Sequence, residues 1–325
     1  MSTALAAAGP EFRLAPPPDT DSAEVPLPVR RDGAAAEPGL AGLAWAVTAA
    51  LAWASYLAFA RVGVVGGLAP LDFALLRYGV AGLILLPVLL RRTPLRLGGL
   101  GWRRGLLLAA LAGPPFILFS TLGYRYAPLA HGAVVQPAVV TIGTTALAVL
   151  LLGERVTRLR WVGLGVVLAG LTVVSGAGFA GGAWRGDLAF AAAGLLWAGF
   201  TIASRHMRAE ALTATAVVSV LGGAASLGLW LGFGDPAAML AQGWRILVVQ
   251  AVVQGGVVGV LAVYAFARAV ALLGAARAAM APAVVPALAV VFGIPVAGEW
   301  PEPAQWLGLG VVMAGLPLAM GLLRR

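Results

Sequence analysis

Residues 151–171 read LLGERVTRLRWVGLGVVLAGL, and residues 296–316 read VAGEWPEPAQWLGLGVVMAGL. Aligned at an offset of about 145 positions, the two stretches share about 11 of 21 letters. The shared positions include the Gly-Glu pairs Gly153-Glu154 and Gly298-Glu299. A repeat with so long a period predicts a fold built from two similar halves, and it governs every later assignment.

The composition around the repeat is that of a membrane protein. Of the 325 residues, 61% are hydrophobic and only 11% are charged, and the mean hydropathy is +0.94. Soluble domains carry about 25% charged residues. The chain contains no cysteine, which excludes a disulfide framework, a thiolate nucleophile and a sulfur-bound metal.

Apolar runs predict an all-α membrane protein with ten transmembrane helices. They lie at about 40–60, 73–90, 105–124, 132–152, 161–178, 188–203, 212–234, 246–267, 275–297 and 304–323. A helix of about 20 residues crosses a hydrocarbon core of about 30 Å. Residues 1–39, rich in proline and acids, are predicted to be a disordered tail rather than a signal peptide.

The placement of arginine predicts the orientation, because every basic residue of the chain is an arginine. If the N-terminus is cytoplasmic, about 17 arginines fall on the cytoplasmic side. The opposite side then holds only four, Arg61, Arg125, Arg185 and Arg245. Cytoplasmic loops are enriched in Lys and Arg, so we predict that both termini face the cytoplasm.

The ten helices divide into two halves of five, 40–178 and 186–323. WASYLAFAR, with Trp53 and Arg61, is echoed by WAGFTIASR, with Trp197 and Arg205. An odd number of helices per half makes the second half enter from the opposite face, so the halves are predicted to be inverted repeats. This arrangement is typical of secondary transporters, which bind substrate near the midplane between the repeats.

The chain resembles the ten-helix EamA-type members of the drug/metabolite transporter superfamily over about residues 40–323. The resemblance rests on YRYAPLAHGAVVQP followed by LLGERVTRLRWVGLGVVLAGL in the first half. It rests equally on RAVALLGAARAAMAPAVVP followed by VAGEWPEPAQWLGLGVVMAGL in the second half. The resemblance implies a bacterial inner-membrane transporter, often an exporter of amino acids or other small metabolites.

Polar and aromatic residues at membrane depth are candidates for a substrate cavity, because burying polar groups in lipid costs several kcal/mol unless they face a cavity or a partner. The predicted cavity residues are Trp53, Tyr56, Phe116, Phe119, His131, Gln136, Trp197, Phe200, Gln254, Tyr264, Arg277 and Met280. Arg277 is the predicted partner of a substrate carboxylate. The alternatives that stay open are an interfacial His131 and a snorkelling Arg277. Trp53 and Trp197 could instead fill helix contacts or lie in interface belts, and Gln136 could bond the carbonyl that Pro137 leaves free.

Prolines and glycines predict kinks and turns. The predicted kinks are at Pro114, Pro115, Pro137, Pro282 and Pro286. Gly153 and Gly298 suit left-handed helix ends, and the following Glu154 and Glu299 are predicted to stabilise a turn or to pair with a nearby arginine. A coupling-ion ligand is the alternative for Glu154.

Further residues are assigned to structural roles. Glycines 163, 165, 170, 308, 310 and 315 are predicted to allow close helix packing. Arg77 is predicted to snorkel or to pair with Asp72. Every acid beyond the tail is placed at a helix edge or in a loop, which argues against a carboxylate proton relay. Any ion coupling is thereby left to His131, to backbone carbonyls or to the substrate.

Taken together, these features predict a secondary transporter of a small polar or zwitterionic metabolite. Its expected partners are that small-molecule substrate and the lipid bilayer. No cofactor, metal or nucleic acid is predicted, and the oligomeric state is left open. A membrane-embedded enzyme is the first alternative, but His131 and His206 alone cannot supply a nucleophile with its base. A non-transporting scaffold or receptor is the second, and the inverted repeat argues against it.

Overall fold

The structure, a computed structural model, describes residues 39–178 and 182–322. These residues form ten long helices and no strand. The helices are α1 (Leu40–Val65), α2 (Pro70–Arg91), α3 (Trp102–Tyr126), α4 (Leu129–Leu152), α5 (Arg158–Gly178), α6 (Trp184–His206), α7 (Ala211–Phe233), α8 (Trp244–Leu273), α9 (Met280–Ala297) and α10 (Pro303–Ala319). The first nine are long and apolar enough to cross a membrane, and α10 is a shorter apolar helix. The predicted ten-helix architecture is therefore confirmed. Residues 1–38 of the tail predicted over 1–39, and the predicted end at residue 323, lie outside the described residues.

Several helix ends differ from the predicted ones, because an apolar run marks the hydrocarbon core and not the helix cap. The first helix continues past Arg61 to Val65, and the sixth begins at Trp184 and includes Asp187 in its first turn. The ninth begins at Met280, after a separate turn at Ala275–Ala278. Polar residues in the headgroup region continue a helix as readily as apolar ones.

Three helices are irregular near the centre of the protein. Gly113 interrupts α3 immediately before Pro114. The equivalent helix of the second half, α8, widens into a π-helix over Ala251–Leu261, and α2 does so over Leu75–Gly79. Wide turns of this kind are frequent at functional sites. By contrast, Pro137 and Pro286 stand inside α4 and α9 without ending them.

The principal helix contacts join the first five helices to the last five. The close pairs are α4 with α6, α1 with α9, α3 with α6, α1 with α8, α5 with α10, and α2 with α7. Each helix of the first half has an equivalent five helices later. When every helix is replaced by its equivalent, the contact of α4 with α6 becomes that of α9 with α1, and the contact of α3 with α6 becomes that of α8 with α1. The contacts of α5 with α10 and of α2 with α7 are unchanged. The fold is thus pseudo-symmetric, and its core lies between the halves.

Glycines bring α5 and α10 into backbone contact. A Cβ atom added at Gly170 would lie 2.8 Å from the Gly308 carbonyl oxygen, and one at Gly315 would lie 3.0 Å from the Gly163 carbonyl oxygen. These four glycines therefore have the predicted packing role. Gly165 and Gly310 do not, because a Cβ atom there meets no other atom within 4 Å. Only a three-dimensional structure distinguishes the two faces of these glycine-rich helices.

Polar contacts join α2 to α7 at both ends. At one end the Trp230 indole N–H donates to Asp72 Oδ1 at 2.8 Å, and the backbone N–H of Ala69 donates to Asp72 Oδ2 at 2.9 Å. At the other end Arg92 pairs with Glu210. Hydrogen bonds from Arg92 and then from Thr213 lower the pKa of Glu210, which stands just before α7. The register of these two helices is thereby fixed at both ends.

Candidate functional site

A cavity of about 240 Å³ lies between the two halves of the helix bundle. It extends from Tyr56 and Arg77, deep among the helices, to Pro282 near the start of α9 and Met320 just after α10. Its walls are formed by Trp53, Tyr56, Leu57, Arg77, Phe116, Gln136, Pro137, Val140, Thr141, Trp197, Val258, Pro282, Ala283, Val285, Leu316 and Met320. Large, mostly apolar cavities with a few convergent polar groups are typical ligand-binding sites.

Aromatic side chains form one wall of this cavity. The rings of Phe116 and Trp197 lie 4.9 Å apart between centroids, and Phe200 supports Trp197 from behind at 5.2 Å. Trp53 lines the cavity from α1 and rests against Phe266 at 5.3 Å. The two tryptophans that are equivalent in the repeat thus line one cavity. Their role in binding a substrate stays a prediction.

A short chain of hydrogen bonds crosses the cavity wall between three helices. The Tyr56 hydroxyl lies 2.5 Å from Ser120 Oγ, and Ser120 Oγ donates to Gln136 Oε1 at 2.9 Å. Because a serine hydroxyl has one proton, Tyr56 is the donor in the first of these bonds. The chain fixes the orientation of two polar side chains, those of Tyr56 and Gln136, that line the cavity.

Arg77 is the charged residue of the cavity wall, and the prediction that it snorkels or pairs with Asp72 is wrong. Its side chain is buried, with a relative exposure of 8%, and its guanidinium lies 4.9 Å from the centroid of the Tyr56 ring. Asp72 instead accepts the bond from Trp230. The turn of π-helix at Leu75–Gly79 carries Arg77 on the side of α2 that faces the cavity.

Several predicted cavity residues lie elsewhere. Phe119, Tyr264 and Met280 have relative exposures of 42%, 47% and 59%, and Arg277 is exposed on the short turn that precedes α9. Gln254 is fully buried but lies outside the cavity lining, with its amide nitrogen 3.3 Å from Gln250 Oε1. Prediction of a cavity position for these residues failed because helix rotation cannot be deduced from segments that are apolar on every face.

His131 also lies outside the cavity lining, buried in the first turn of α4. Its side chain is 1% exposed, and its Nδ1 lies 2.8 Å from Asp187 Oδ1 in the first turn of α6. The sequence places Asp187 at a helix edge, yet this carboxylate is buried against the opposite half of the protein. A buried acid and a histidine are therefore in contact here, a pair that was not predicted from the sequence.

Each repeated glutamate pairs with an arginine of the other half. Glu299 Oε1 accepts from Arg61 Nε at 2.5 Å, and Glu154 accepts from the guanidinium of Arg205. Arg61 and Arg205 are equivalent in the repeat, so the two ion pairs, hereafter the mirror ion pairs, are equivalent under the pseudo-symmetry and lie at opposite ends of the molecule. Gly153 and Gly298 precede the glutamates and end α4 and α9 with φ of 66° and 68°, in the left-handed region.

The two mirror ion pairs differ in their surroundings. The Arg61 and Glu299 side chains are 18% and 26% exposed, and Arg205 and Glu154 are 56% and 31% exposed. Arg61 also donates to the Tyr124 carbonyl oxygen, and Glu299 Oε2 accepts from the backbone N–H of Leu129 at 2.8 Å. At the Arg61 end, these contacts therefore join four helices, α1, α3, α4 and the end of α9.

Tight packing continues from the Arg61 end toward the cavity. The ring of Tyr124 lies 4.8 Å from that of Phe190, and a Cβ atom at Gly123 would lie 2.4 Å from the Phe190 ring. The side chain of Leu129 packs against Gly293. A Cβ atom added at Gly293 would lie 2.0 Å from the Leu129 side chain. This end of the bundle is closed, whereas the cavity reaches toward the start of α9 and the end of α10 on the opposite side.

Arg77 and Asp187 are the residues whose positions differ most from those predicted from the sequence. One signal for Arg77 is its depth, because seven residues beyond Pro70 correspond to about 10 Å along a helix. Asp187 has no comparable signal. Within 39–178 and 182–322, no group of three His, Cys, Asp or Glu side chains is placed so that it could hold a metal ion.

Comparisons with known proteins agree with this architecture. The sequence profile of the EamA-like transporter family matches residues 40–176 and again 184–321. The chain is 28% identical over 274 residues to the uncharacterized inner membrane transporter YedA of Escherichia coli K12, covering 82% of this chain and 86% of that protein. YedA of Escherichia coli O157:H7 gives the same values. One protein crystal structure aligns with a TM-score of 0.61 and 23% identity, covering 87% of this chain and 98% of that one, which supports the fold.

Proposed function

Because this chain belongs to the EamA-like transporter family, we propose that it is a secondary transporter that carries a small organic metabolite across the bacterial inner membrane by alternating access. Export is the direction that the resemblance to EamA-type transporters implies. The observation that carries the proposal is the cavity between two pseudo-symmetric halves, closed at one end and extending toward the other. Inverted repeats with a central site are the architecture in which one half rocks against the other.

The two mirror ion pairs are the proposed gates. In this conformation the partly buried pair of Arg61 and Glu299 holds one end shut. The exposed pair of Arg205 and Glu154 occupies the equivalent place at the end toward which the cavity extends. When the halves exchange conformations, pseudo-symmetry requires the second pair to become the enclosed one. Arginine placement then assigns the Arg61 end to the outside and the open end to the cytoplasm.

The proposed orientation predicts the accessibility of single cysteines in the cysteine-free chain. Arg96→Cys, in the loop after α2, is expected to face the cytoplasm, and Ala241→Cys, before α8, is expected to face outside. Both positions are exposed. In intact cells a membrane-impermeant maleimide should label only Ala241→Cys, and permeabilised cells should give labelling of both. Labelling of Arg96→Cys in intact cells would reverse the orientation.

The transport function is tested with purified protein in loaded proteoliposomes, by efflux of a panel of small metabolites with and without a pH gradient. Trp197→Ala should raise the KM of a transported substrate about three- to tenfold, because one aromatic wall of the cavity is lost. Trp161→Ala is the matched control, since Trp161 is exposed on α5.

Two results would contradict these expectations. Equal KM values for the two tryptophan variants would remove Trp197 from the substrate site. A protein that is folded in detergent but moves no compound of a broad panel would contradict the transport function itself. Size-exclusion chromatography of both variants separates a loss of binding from a loss of folding.

A further inference from the structure

Arg77 stands at the deep end of the cavity, on the turn of π-helix in α2. Its side chain is more than nine-tenths buried, and its guanidinium carbon lies 4.9 Å from the centroid of Tyr56 and 6.0 Å from that of Phe116. Cation–π contacts of this kind offset part of the cost of burying the charge. They do not use the hydrogen-bonding capacity of the guanidinium, which has five N–H donors.

The charge of Arg77 has no carboxylate partner among the residues that the structure describes. Their ion pairs are Arg61–Glu299, Arg92–Glu210, His131–Asp187 and Arg205–Glu154. Asp72, on the same helix, is engaged by Trp230 and by a backbone N–H. The Nη1 atom of Arg77 is buried and has no hydrogen-bond partner. A buried cation without a counter-ion is costly, and in membrane proteins it marks a functional site.

The rest of the cavity wall contains no acidic residue. Besides Arg77, its polar side chains are those of Tyr56, Gln136 and Thr141, and the indoles of Trp53 and Trp197 add one N–H each. The remaining wall is apolar and aromatic, from Trp197 to Leu316 and Met320. A substrate ammonium group would therefore find no carboxylate here, whereas a substrate anion would find the guanidinium of Arg77 in the cavity wall.

We propose that Arg77 is the anion-binding residue of the cavity, and that the substrate is an organic anion, such as a carboxylate, that carries an aromatic or extended apolar body and no ammonium group. The anion accepts hydrogen bonds from the Arg77 guanidinium, whose planar fork matches a carboxylate. The body of the ligand lies against Trp197 and Phe116. This inference rests on the proposed transport function and narrows it, since a zwitterionic metabolite is no longer the favoured substrate.

A charge series on one molecular frame tests the proposal. Indole-3-acetate, tryptophan and tryptamine are an anion, a zwitterion and a cation with the same ring system, and octanoate, 8-aminooctanoate and octylamine repeat the series on an aliphatic frame. Binding to the purified full-length protein in detergent is measured by isothermal titration calorimetry. In at least one series the anion should bind tenfold or more tightly than the zwitterion and the cation.

The variant Arg77→Gln should weaken binding of the anion tenfold or more and remove the preference within the series, and Arg77→Lys should retain part of it. Arg125→Gln is the matched control, because Arg125 is exposed at the end of α3 and lies outside the cavity lining. If Arg77→Gln does not fold, the charge series on the unaltered protein still decides the substrate class.

Four results would overturn the inference. They are tighter binding of the zwitterion or cation, equal binding of all three members of both series, no anion binding in either series, and unchanged anion binding by folded Arg77→Gln. Failure of the transport function is distinguishable from these. Anion binding that depends on Arg77 without any efflux from proteoliposomes would contradict transport and leave the anion site in place.

Discussion

Gly170→Leu should leave little folded protein, because α5 and α10 would no longer fit together. A Cβ atom at Gly170 would lie 2.8 Å from the Gly308 carbonyl oxygen and 2.8 Å from the Val312 backbone nitrogen. Backbone atoms cannot rotate away as a flexible side chain can. Overpacking by single methylene groups costs about 1–3 kcal/mol, and leucine adds four carbon atoms. We therefore expect a loss of about 3 kcal/mol or more from a total stability of about 5–15 kcal/mol.

The measurement is the yield of monodisperse protein in detergent together with its melting temperature. Gly165→Leu is the matched control on the same helix, since Gly165 is exposed and has no neighbour within 4 Å. The pair Gly315→Leu and Gly310→Leu repeats the comparison on α10. A Gly170→Leu protein that melts like the Gly165→Leu protein would mean that α5 and α10 do not pack through these glycines.

Arg61→Ala should open the end of the protein that we propose faces outside. The substitution leaves the carboxylate of Glu299 partly buried in the closed arrangement, where it still accepts a hydrogen bond from the backbone N–H of Leu129. Removing one partner of a buried ion pair costs about 3–5 kcal/mol, and we expect about 2–3 kcal/mol for this partly buried pair. At about 1.4 kcal/mol per factor of ten, the equilibrium should shift toward the outward-open state about 30- to 140-fold.

The reporter of this shift is a single cysteine in place of Ala130, which is buried beside the Arg61–Glu299 pair in a pocket of about 190 Å³. The rate of its labelling by an impermeant maleimide from outside should rise about 30-fold or more in Arg61→Ala. Arg205→Ala removes the mirror ion pair and should not raise this rate. Equal acceleration by both substitutions, or by neither, would show that Arg61 and Glu299 do not form a gate.

The number of helices and their pseudo-symmetry could be predicted from the sequence because they depend on local quantities. The thickness of the hydrocarbon core sets the length of each apolar run, and the repeated Gly-Glu segments mark equivalent ends of α4 and α9. Helix ends were less predictable, as at Asp187, because headgroup-facing polar residues extend a helix beyond its apolar run.

The candidate site was predicted only in part. Trp53, Tyr56, Phe116, Gln136 and Trp197 line the cavity in which they were predicted, and their function remains a prediction. Arg77 and Arg277 exchange their expected roles, since Arg77 faces the cavity and Arg277 lies on the surface. Depth along the helix is the one signal that favours Arg77, which lies seven residues beyond Pro70, whereas Arg277 lies on the short turn before α9.

The sequence by itself determined a ten-helix membrane protein with two related halves, since length, composition and repetition do not depend on how helices are rotated. The tertiary structure alone decided which side of each helix faces the cavity and which distant residues pair, such as Arg61 with Glu299 across 238 positions. The physical reason is that lipid and protein interior are both apolar. A membrane helix therefore lacks the polar face that would reveal its rotation in water, and only close packing against its neighbours, as between Gly170 and Gly308, fixes it.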